Sequence, residues 1–233
     1  MATPYVICHM LSTVNGKILS NNWGGEEIEA FGELYEKCHQ SFHSQAWMCG
    51  RVTFEKDFTD GQKPVLAKPP HTIERKAFIG DTTATSFAIA IDAKGKLGWD
   101  DNHISGDHII EVVTEDVSEE YLYYLQQKNI SYIFAGKQDV DFKHALQQLC
   151  TLFPIKIILL EGGGHLNGSL LNEGLIDELS ILLVPIADST AKSTTAFELS
   201  EYLQQKGAAS LKLKDVEKLE GDVLWLRYTI DNE

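Results

Sequence analysis

The sequence has few basic residues, no closely spaced cysteines and no long apolar segment, and each absence excludes a class of protein. Lysine and arginine number 20 against 34 aspartate and glutamate residues, and the net charge of −14 disfavours binding to nucleic acid or to a membrane surface. No segment approaches the roughly 18 apolar residues of a membrane-spanning helix. The first residues lack the basic and apolar parts of a signal peptide, so we expect a cytoplasmic protein.

The cysteines and histidines form no pattern typical of a disulfide framework or a metal centre. The four cysteines stand far apart among apolar neighbours, without a C-x-x-C pair, which favours buried thiols. His39 and His43 lie four residues apart, but no third ligand is evident near them. The sequence therefore predicts no metal site, and this pair is interpreted as one face of a helix.

Short apolar runs alternate with amphipathic segments, as expected for a single α/β domain over residues 1–233. The predicted strands are 5–11, 46–49, 87–91, 108–114, 130–135, 155–160 and 180–185, and the predicted helices are 26–43, 118–128, 141–153 and 167–173. The last two apolar runs, 211–217 and 223–230, follow each other without a helix, which predicts an antiparallel hairpin at the edge of a mostly parallel sheet. Residues 59–85 contain three prolines and are predicted to be loop.

A glycine run between a strand and a helix is the strongest functional signal. Strand 155–160 leads through Glu161 into Gly162, Gly163 and Gly164, and Asn167 is predicted to open the next helix. Glycines let a pyrophosphate approach the backbone, and the free N–H groups of a helix start favour anions. The alternative is a tight turn without a ligand. The glycines are contiguous and occur late in the chain, unlike the dinucleotide fingerprint G-x-G-x-x-G.

A second glycine junction follows strand 46–49. Gly50 precedes Arg51 and Thr53, which place a guanidinium and a hydroxyl at the head of a predicted helix that also carries Asp57. Arginine is suited to holding a phosphate. The alternative is a surface arginine beside a helix cap.

The motifs around these junctions resemble those of the riboflavin-biosynthesis pyrimidine reductase family, in the dihydrofolate-reductase-like superfamily. Residues 12–18 (STVNGKI) resemble the family's S-L-D-G-[KR]-I, and Leu160 to Gly164 with 175–179 (LIDEL) and Pro185 resemble its E-G-G-G…G-L-[IV]-D-E-L…P. The resemblance implies a three-layer sandwich with a mostly parallel central sheet and an antiparallel edge hairpin. The zinc deaminase motifs of the family's bifunctional members do not occur, so we expect a reductase domain without a deaminase domain.

The resemblance implies an NADPH-dependent oxidoreductase and a homodimer. Its substrate would be 5-amino-6-(5-phosphoribosylamino)uracil, a phosphorylated heterocycle that receives hydride at the ribosyl C1′. The expected cofactor contacts are Ser12, Trp23, Gly50, Arg51, Thr53, Gly162, Gly163, Gly164, His165, Leu166 and Asn167. The expected substrate contacts are Asn15, Lys17 and Glu161, with Lys17 at the substrate phosphate and with Glu161 and Asp57 as the catalytic carboxyl groups.

Two other functions are compatible with the sequence. The first is a dihydrofolate reductase, or a reductase of another heterocycle or carbonyl compound. The second is a nucleotide-binding protein without reductase activity, which is consistent with Asn15 in place of the family's aspartate. Turnover of dihydrofolate would identify the first, and NADPH binding without oxidation would identify the second.

Overall fold

The computed structural model describes residues 2–19, 23, 27–200 and 203–231. The chain forms two compact units, one made of residues 1–4 and 44–158 and the other of residues 5–43 and 159–233. Gly24 and Gly25, predicted as loop, and Glu26, the predicted first residue of a helix, lie outside the described residues.

Strands and helices alternate over most of the chain, as predicted. In chain order they are β1 (Tyr5–Thr13), α1 (Glu27–Ser41), β2 (Ala46–Gly50), α2 (Arg51–Asp57), β3 (Phe87–Ile91), β4 (His103–Ile104), β5 (Asp107–Val113), α3 (Glu119–Gln127), β6 (Ser131–Phe134), α4 (Phe142–Leu152), β7 (Ile157–Leu160), α5 (Gly164–Glu173), β8 (Glu178–Val184), β9 (Ser210–Lys218) and β10 (Leu224–Asp231). No helix in the described parts of the chain is long and apolar enough to cross a membrane.

The first unit is built on parallel strands. β2 pairs with β3, β3 with β5 and β5 with β6, all in parallel, whereas the two-residue β4 pairs antiparallel with β5. β3 is almost wholly buried, which explains its continuous apolar sequence. Ser118 caps α3 by accepting a hydrogen bond from the Tyr121 N–H (3.2 Å), so the predicted start of this helix is confirmed.

The second unit combines a parallel pair with the predicted antiparallel hairpin. β1 and β8 are parallel, and β10 lies antiparallel to both β8 and β9. The strands β1, β8, β10 and β9 are neighbours in that order, so β9 is at the edge. Its core is formed by Trp23, Phe31, Cys38, Leu182, Val184, Val223 and Trp225. The predicted α/β class with a mostly parallel sheet and an antiparallel edge pair is confirmed.

One prediction on the candidate site is wrong. Helix α5 begins at Gly164 and not at Asn167, because the glycine run turns directly into helical backbone. Gly174, in the left-handed conformation (φ 70°), ends this helix as predicted. Strand β7 begins at Ile157 rather than at residue 155, and the short strand β4 was not predicted at all.

Candidate functional site

In the second unit, hydrogen bonds connect the turn after β1 to the segment that follows β8. The Asn15 side chain donates from Nδ2 to the Asp188 carbonyl oxygen (2.7 Å) and accepts from the Asp188 N–H at Oδ1 (3.1 Å). The same Oδ1 accepts a hydrogen bond from the Thr13 hydroxyl (2.9 Å). Asn15 was predicted to contact substrate, and in this structure both atoms of its amide hold the loop.

Lys17 lies on the same turn and faces the same segment. Its ammonium donates to the Ser193 carbonyl oxygen (2.9 Å). An ammonium has three hydrogens, so this bond leaves donors for a second acceptor. The backbone of the turn is held as well, because the Ile18 N–H donates to the Thr194 carbonyl (3.1 Å) and the Ala196 N–H donates to the Gly16 carbonyl (3.3 Å).

Ser12 and Trp23, both predicted to contact the cofactor, are buried side chains of the second unit. The Ser12 hydroxyl donates to the Thr13 carbonyl oxygen (3.1 Å) at the end of β1. Trp23 packs in the apolar core of this unit, and its indole Nε1 has no hydrogen-bond partner among the described residues. Among the described residues, the Ser12 hydroxyl therefore has a partner and the Trp23 N–H does not.

The three glycines after Glu161 have different structural roles. Gly162 has φ +119°, a conformation that side chains rarely adopt. A Cβ on Gly164 would lie 2.3 Å from the Thr195 carbonyl oxygen, so this glycine permits close packing of α5 on the loop. A Cβ on Gly163 would meet nothing within 4 Å. The open space that a ligand needs is therefore at Gly163.

The start of α5 offers unpaired N–H groups beside this open space. The N–H groups of Leu166 and Asn167 both donate to the Gly163 carbonyl (3.0 and 3.1 Å). The N–H groups of Gly163, Gly164 and His165 come earlier and have no acceptor inside the helix. Asn167, predicted to supply a free N–H, does not do so, because the helix begins three residues before it.

The side chains of this first turn point to different surroundings. Asn167 is fully buried, and its Nδ2 donates to the Ala196 carbonyl oxygen (2.9 Å). Leu166 is buried too, whereas His165 is largely exposed and its Nε2 lies 3.4 Å from Glu198 Oε2. Of the three residues, only His165 presents a side chain to solvent.

Glu161 is paired with a histidine that sequence reasoning did not select. His39 Nδ1 of helix α1 lies 2.7 Å from Glu161 Oε1, and both side chains are mostly buried. A hydrogen bond of this kind orients the carboxyl group and holds a proton between the two residues. His39 lies on α1 as predicted, but the shared helix face with His43 is wrong, because α1 ends at Ser41 and His43 lies beyond it with φ +48°. The partner of His39 is 122 residues away in sequence, and no local spacing could have indicated it.

The residues around this pair are buried and uncharged. Burial raises the pKa of the Cys8 thiol far above its usual range, and the charge of Glu161 adds to this effect. Burial also lowers the pKa of His9 to about 4, so this imidazole is neutral at pH 7. His9 stacks on Tyr35 of α1 with ring centroids 4.3 Å apart. Glu161 and His39 therefore lie beside groups that do not titrate near neutral pH.

The remaining predicted residues belong to the first unit. Gly50 is the N-terminal cap of α2, and Arg51 is the first residue of this helix. The Arg51 guanidinium forms an ion pair with Glu55, whose carboxylate also binds Lys63. The hydrogen bond from Lys63 is the largest of the effects that lower the pKa of Glu55.

Thr53 and Asp57 lie further along the same helix. The Thr53 side chain is half-buried, and Asp57 is exposed with its Oδ1 3.8 Å from Lys56 Nζ.

Residues 4–225 match the family described as the RibD C-terminal domain. The chain belongs to this family. A curated relative, the 2,5-diamino-6-ribosylamino-4(3H)-pyrimidinone 5′-phosphate reductase of Methanothermobacter thermautotrophicus, is 27% identical over 97% of this chain and 98% of its own length. The resemblance to pyrimidine reductases predicted from the glycine motifs is confirmed.

Solved structures share the fold. A pyrimidine reductase-like protein of Corynebacterium diphtheriae superposes with a TM-score of 0.67 at 16% identity, covering 99% of this chain and 93% of the other. The riboflavin biosynthesis reductase Rib7 of Saccharomyces cerevisiae has a TM-score of 0.64 at 17% identity, covering 98% and 90%. The predicted fold class is thus that of known RibD-type reductases.

Proposed function

We propose that the protein is an NAD(P)H-dependent reductase of a phosphorylated ribosylaminopyrimidine. The observation that carries the proposal is the junction at Gly163, where open space adjoins three N–H groups with no acceptor inside helix α5. Such a junction suits the pyrophosphate of a dinucleotide, because it offers hydrogen-bond donors and the positive end of a helix dipole. Membership of the RibD C-terminal domain family and the reductase name of the archaeal relative support the same activity.

The reduced nicotinamide would supply a hydride to C1′ of the ribosyl group, while the protein positions the substrate and excludes water. In this reaction the C1′–O4′ bond breaks, a C1′–H bond forms, and O4′ must gain a proton. Glu161 is the carboxyl group that we assign to the substrate. His39 holds Glu161 Oε1 at 2.7 Å, which leaves Oε2 for a substrate hydroxyl or ring N–H. The pair can also hold the proton that O4′ requires.

Lys17 is proposed to bind the 5′-phosphate of the substrate. Its bond to the Ser193 carbonyl fixes the ammonium without neutralising its charge. The Asp188 carboxylate, whose pKa is lowered mainly by hydrogen bonds and also by the Lys17 charge, is the acidic group that the phosphate would accompany. Asn15 is then a residue that shapes this part of the site, because its amide bonds tie the turn to Asp188.

Arg51 and Thr53 are proposed to bind a second cofactor phosphate, which would favour NADPH over NADH. Glu55 uses only part of the guanidinium fork, since arginine has five N–H donors. Arg51→Ala should weaken NADPH binding more than NADH binding, and an equal loss for both would contradict this role. The catalytic role of Asp57 stays a prediction.

The proposal is tested by titrating the full chain with NADPH and NADH and then following the loss of nicotinamide absorbance with three candidate substrates. These are the 2,5-diamino-pyrimidinone ribosyl phosphate, 5-amino-6-(5-phosphoribosylamino)uracil and dihydrofolate. We expect turnover of one of the first two compounds, which differ in the amino or oxo group at one ring position. Turnover of dihydrofolate alone would replace the substrate assignment, and the absence of cofactor binding would refute the proposal.

A homodimer is proposed through one face of β8, β10 and β9. Directly paired residues of neighbouring strands point to the same side of a sheet, and the pairs Leu226↔Ile181, Leu226↔Val216 and Leu224↔Leu183 are all apolar. The face carries Ile181, Leu183, Leu211, Leu213, Val216, Leu224 and Leu226, of which Leu213 and Val216 are 55% and 53% exposed. An exposed apolar sheet face at an edge strand favours association with a second copy.

Light scattering on the eluting protein tests this interface. Leu213→Asp should convert a dimer into a monomer, because a carboxylate would be buried without a partner. Lys212→Asp on the opposite face is the matched control and should leave the dimer intact. A wild-type monomer would refute the proposal.

A further inference from the structure

Three potential metal ligands converge in the first unit, and none of them is among the residues assigned to the reductase. They are Asp81, which precedes β3, His103 of β4 and His108 of β5, and one ligand atom of each lies within 4.8 Å of the others. Asp81 Oδ2 is 3.9 Å from His103 Nε2. His103 and His108 are directly paired in the β4–β5 ladder, so both imidazoles lie on one side of it, with ring centroids 5.2 Å apart.

The second polar atom of Asp81 and of His103 is already held by a neighbour. Asp81 Oδ1 accepts hydrogen bonds from both the N–H and the hydroxyl of Thr83 (2.7 Å each). His103 Nδ1 lies 2.7 Å from Asn102 Oδ1, which can only accept. Nδ1 of His103 therefore carries a proton, and Nε2 is the ring nitrogen that faces Asp81.

His108 provides an independent observation that points to a ligand. Its side chain is fully buried, and its Nε2 lies 2.8 Å from the Ser131 hydroxyl oxygen, which also accepts the Gly80 N–H (2.9 Å). Its Nδ1 is buried and makes no well-aligned hydrogen bond within the described parts of the chain, where the Asn102 backbone is its one poorly aligned neighbour. A buried polar atom without a partner costs free energy. With the proton on Nε2, Nδ1 has a lone pair that a metal ion would satisfy.

We propose that Asp81, His103 and His108 form a binding site for a divalent transition-metal ion, with zinc as the best match. Two imidazoles and one carboxylate, with water as the fourth ligand, is a zinc-type set, and magnesium or calcium would require more oxygen ligands. Each proposed ligand is oriented by an outer partner, as is usual around metal-bound histidines. Ligand atoms on a tetrahedral zinc are about 3.4 Å apart, so the Asp81–His103 separation would need to shorten by roughly 0.5 Å.

The ion would attach the segment before β3 to the β4–β5 ladder. The Gly80 N–H bond to Ser131 and the bridge between Phe78 and Tyr132 already hold this segment at β6. Ligation through Asp81 would add a third point at which this segment, which has no helix or strand, is held. The site would therefore stabilise the first unit, whether or not the protein is a reductase.

The experiment uses the full chain, stripped with a chelator and desalted. Zinc is titrated by calorimetry, and cobalt is titrated by visible absorption as a probe of geometry. We expect one ion per chain, tetrahedral cobalt bands without a thiolate charge-transfer band, and a melting temperature that rises with zinc concentration. His103→Ala should lower the affinity at least 100-fold, and Asn102→Ala should lower it about 10-fold, as for other outer partners of a metal site.

The matched control is His144→Ala, which removes an exposed imidazole from α4. It should bind zinc as the wild type does. His103 is partly exposed, so its variant should fold, and circular dichroism checks this. The proposal is overturned if His103→Ala binds as tightly as His144→Ala, if cobalt shows a thiolate band, or if the wild type binds no stoichiometric ion.

Discussion

Substitutions at two adjacent glycines should separate cofactor binding from stability. Gly163→Ala adds a methyl group in open space, at a residue whose φ of −52° suits any side chain, so the free energy of unfolding should not fall. The same methyl group occupies the position that we assign to the pyrophosphate. Loss of one hydrogen bond to a charged group costs about 1.5–3 kcal/mol, which corresponds to a dissociation constant roughly 10- to 150-fold higher.

Gly164→Ala should have the opposite effect. Its Cβ would lie 2.3 Å from the Thr195 carbonyl oxygen, so α5 or the loop must move. Overpacking of this kind costs about 1–3 kcal/mol, and about 2–4 °C of melting temperature is lost per kcal/mol in a chain of this size.

Fluorescence titration with NADPH and thermal unfolding by circular dichroism are measured on both variants. The larger Gly163→Val should abolish cofactor binding with a native circular-dichroism spectrum. The reasoning is refuted if Gly163→Ala binds NADPH like the wild type, or if it is the less stable of the two alanine variants.

Three further predictions concern polar side chains. Glu161→Gln should leave the NADPH dissociation constant unchanged and lower kcat/KM by about 10²–10⁴, and unchanged steady-state kinetics would remove Glu161 from the reaction. Burial, followed by the charge of Asp92, raises the pKa of Glu111 well above its usual range, so the folded state keeps a proton that the unfolded state loses above pH about 4.3. The stability from Glu111 is complete below that pH and falls as pH rises towards the folded pKa, by up to about 1.4 kcal/mol per pH unit. Glu111→Gln should remove this slope in urea unfolding between pH 5 and 8, and an unchanged slope would contradict the assignment. Asn15→Asp, which restores the family's residue, should cost about 0.5–1.5 kcal/mol because a carboxylate cannot donate to the Asp188 carbonyl. Equal urea midpoints for Asn15→Asp and the wild type would show that this bond contributes nothing.

The sequence predicts most elements of the fold because their signals are local. The β3 range is exact, the Ser118 cap marks the start of α3, and Gly174 marks the end of α5. The start of α5 was missed because glycine normally signals a loop. Gly164 and Gly168 are four residues apart on one side of the helix, and each would place a Cβ within 2.3 Å of a loop carbonyl. Close packing between a helix and a distant loop has no local signal.

In both the candidate site and the proposed metal site, only residues close together in sequence could be selected in advance. Glu161 and the glycines could be selected because they are contiguous in sequence. His39 could not be linked to Glu161, because tertiary structure alone brings α1 to the end of β7. The expectation of no metal site relied on ligand spacing along the chain. His103 and His108 are joined by strand pairing through the unpredicted β4, and Asp81 comes from a segment without regular structure.

The register shift between β9 and β10 affects both the shape of the edge strand and its charge. Lys214 is the extra residue at this point, since Tyr228 pairs with Leu213 and Arg227 with Asp215. Its ammonium lies 2.6 Å from the buried carboxylate of Glu178. A one-residue deletion at this position would restore regular alternation and keep the leucines on their present side, but it would leave Glu178 without its cation. Glu178→Gln should therefore restore part of the stability that the deletion of Lys214 removes, so that length and charge at this edge are coupled.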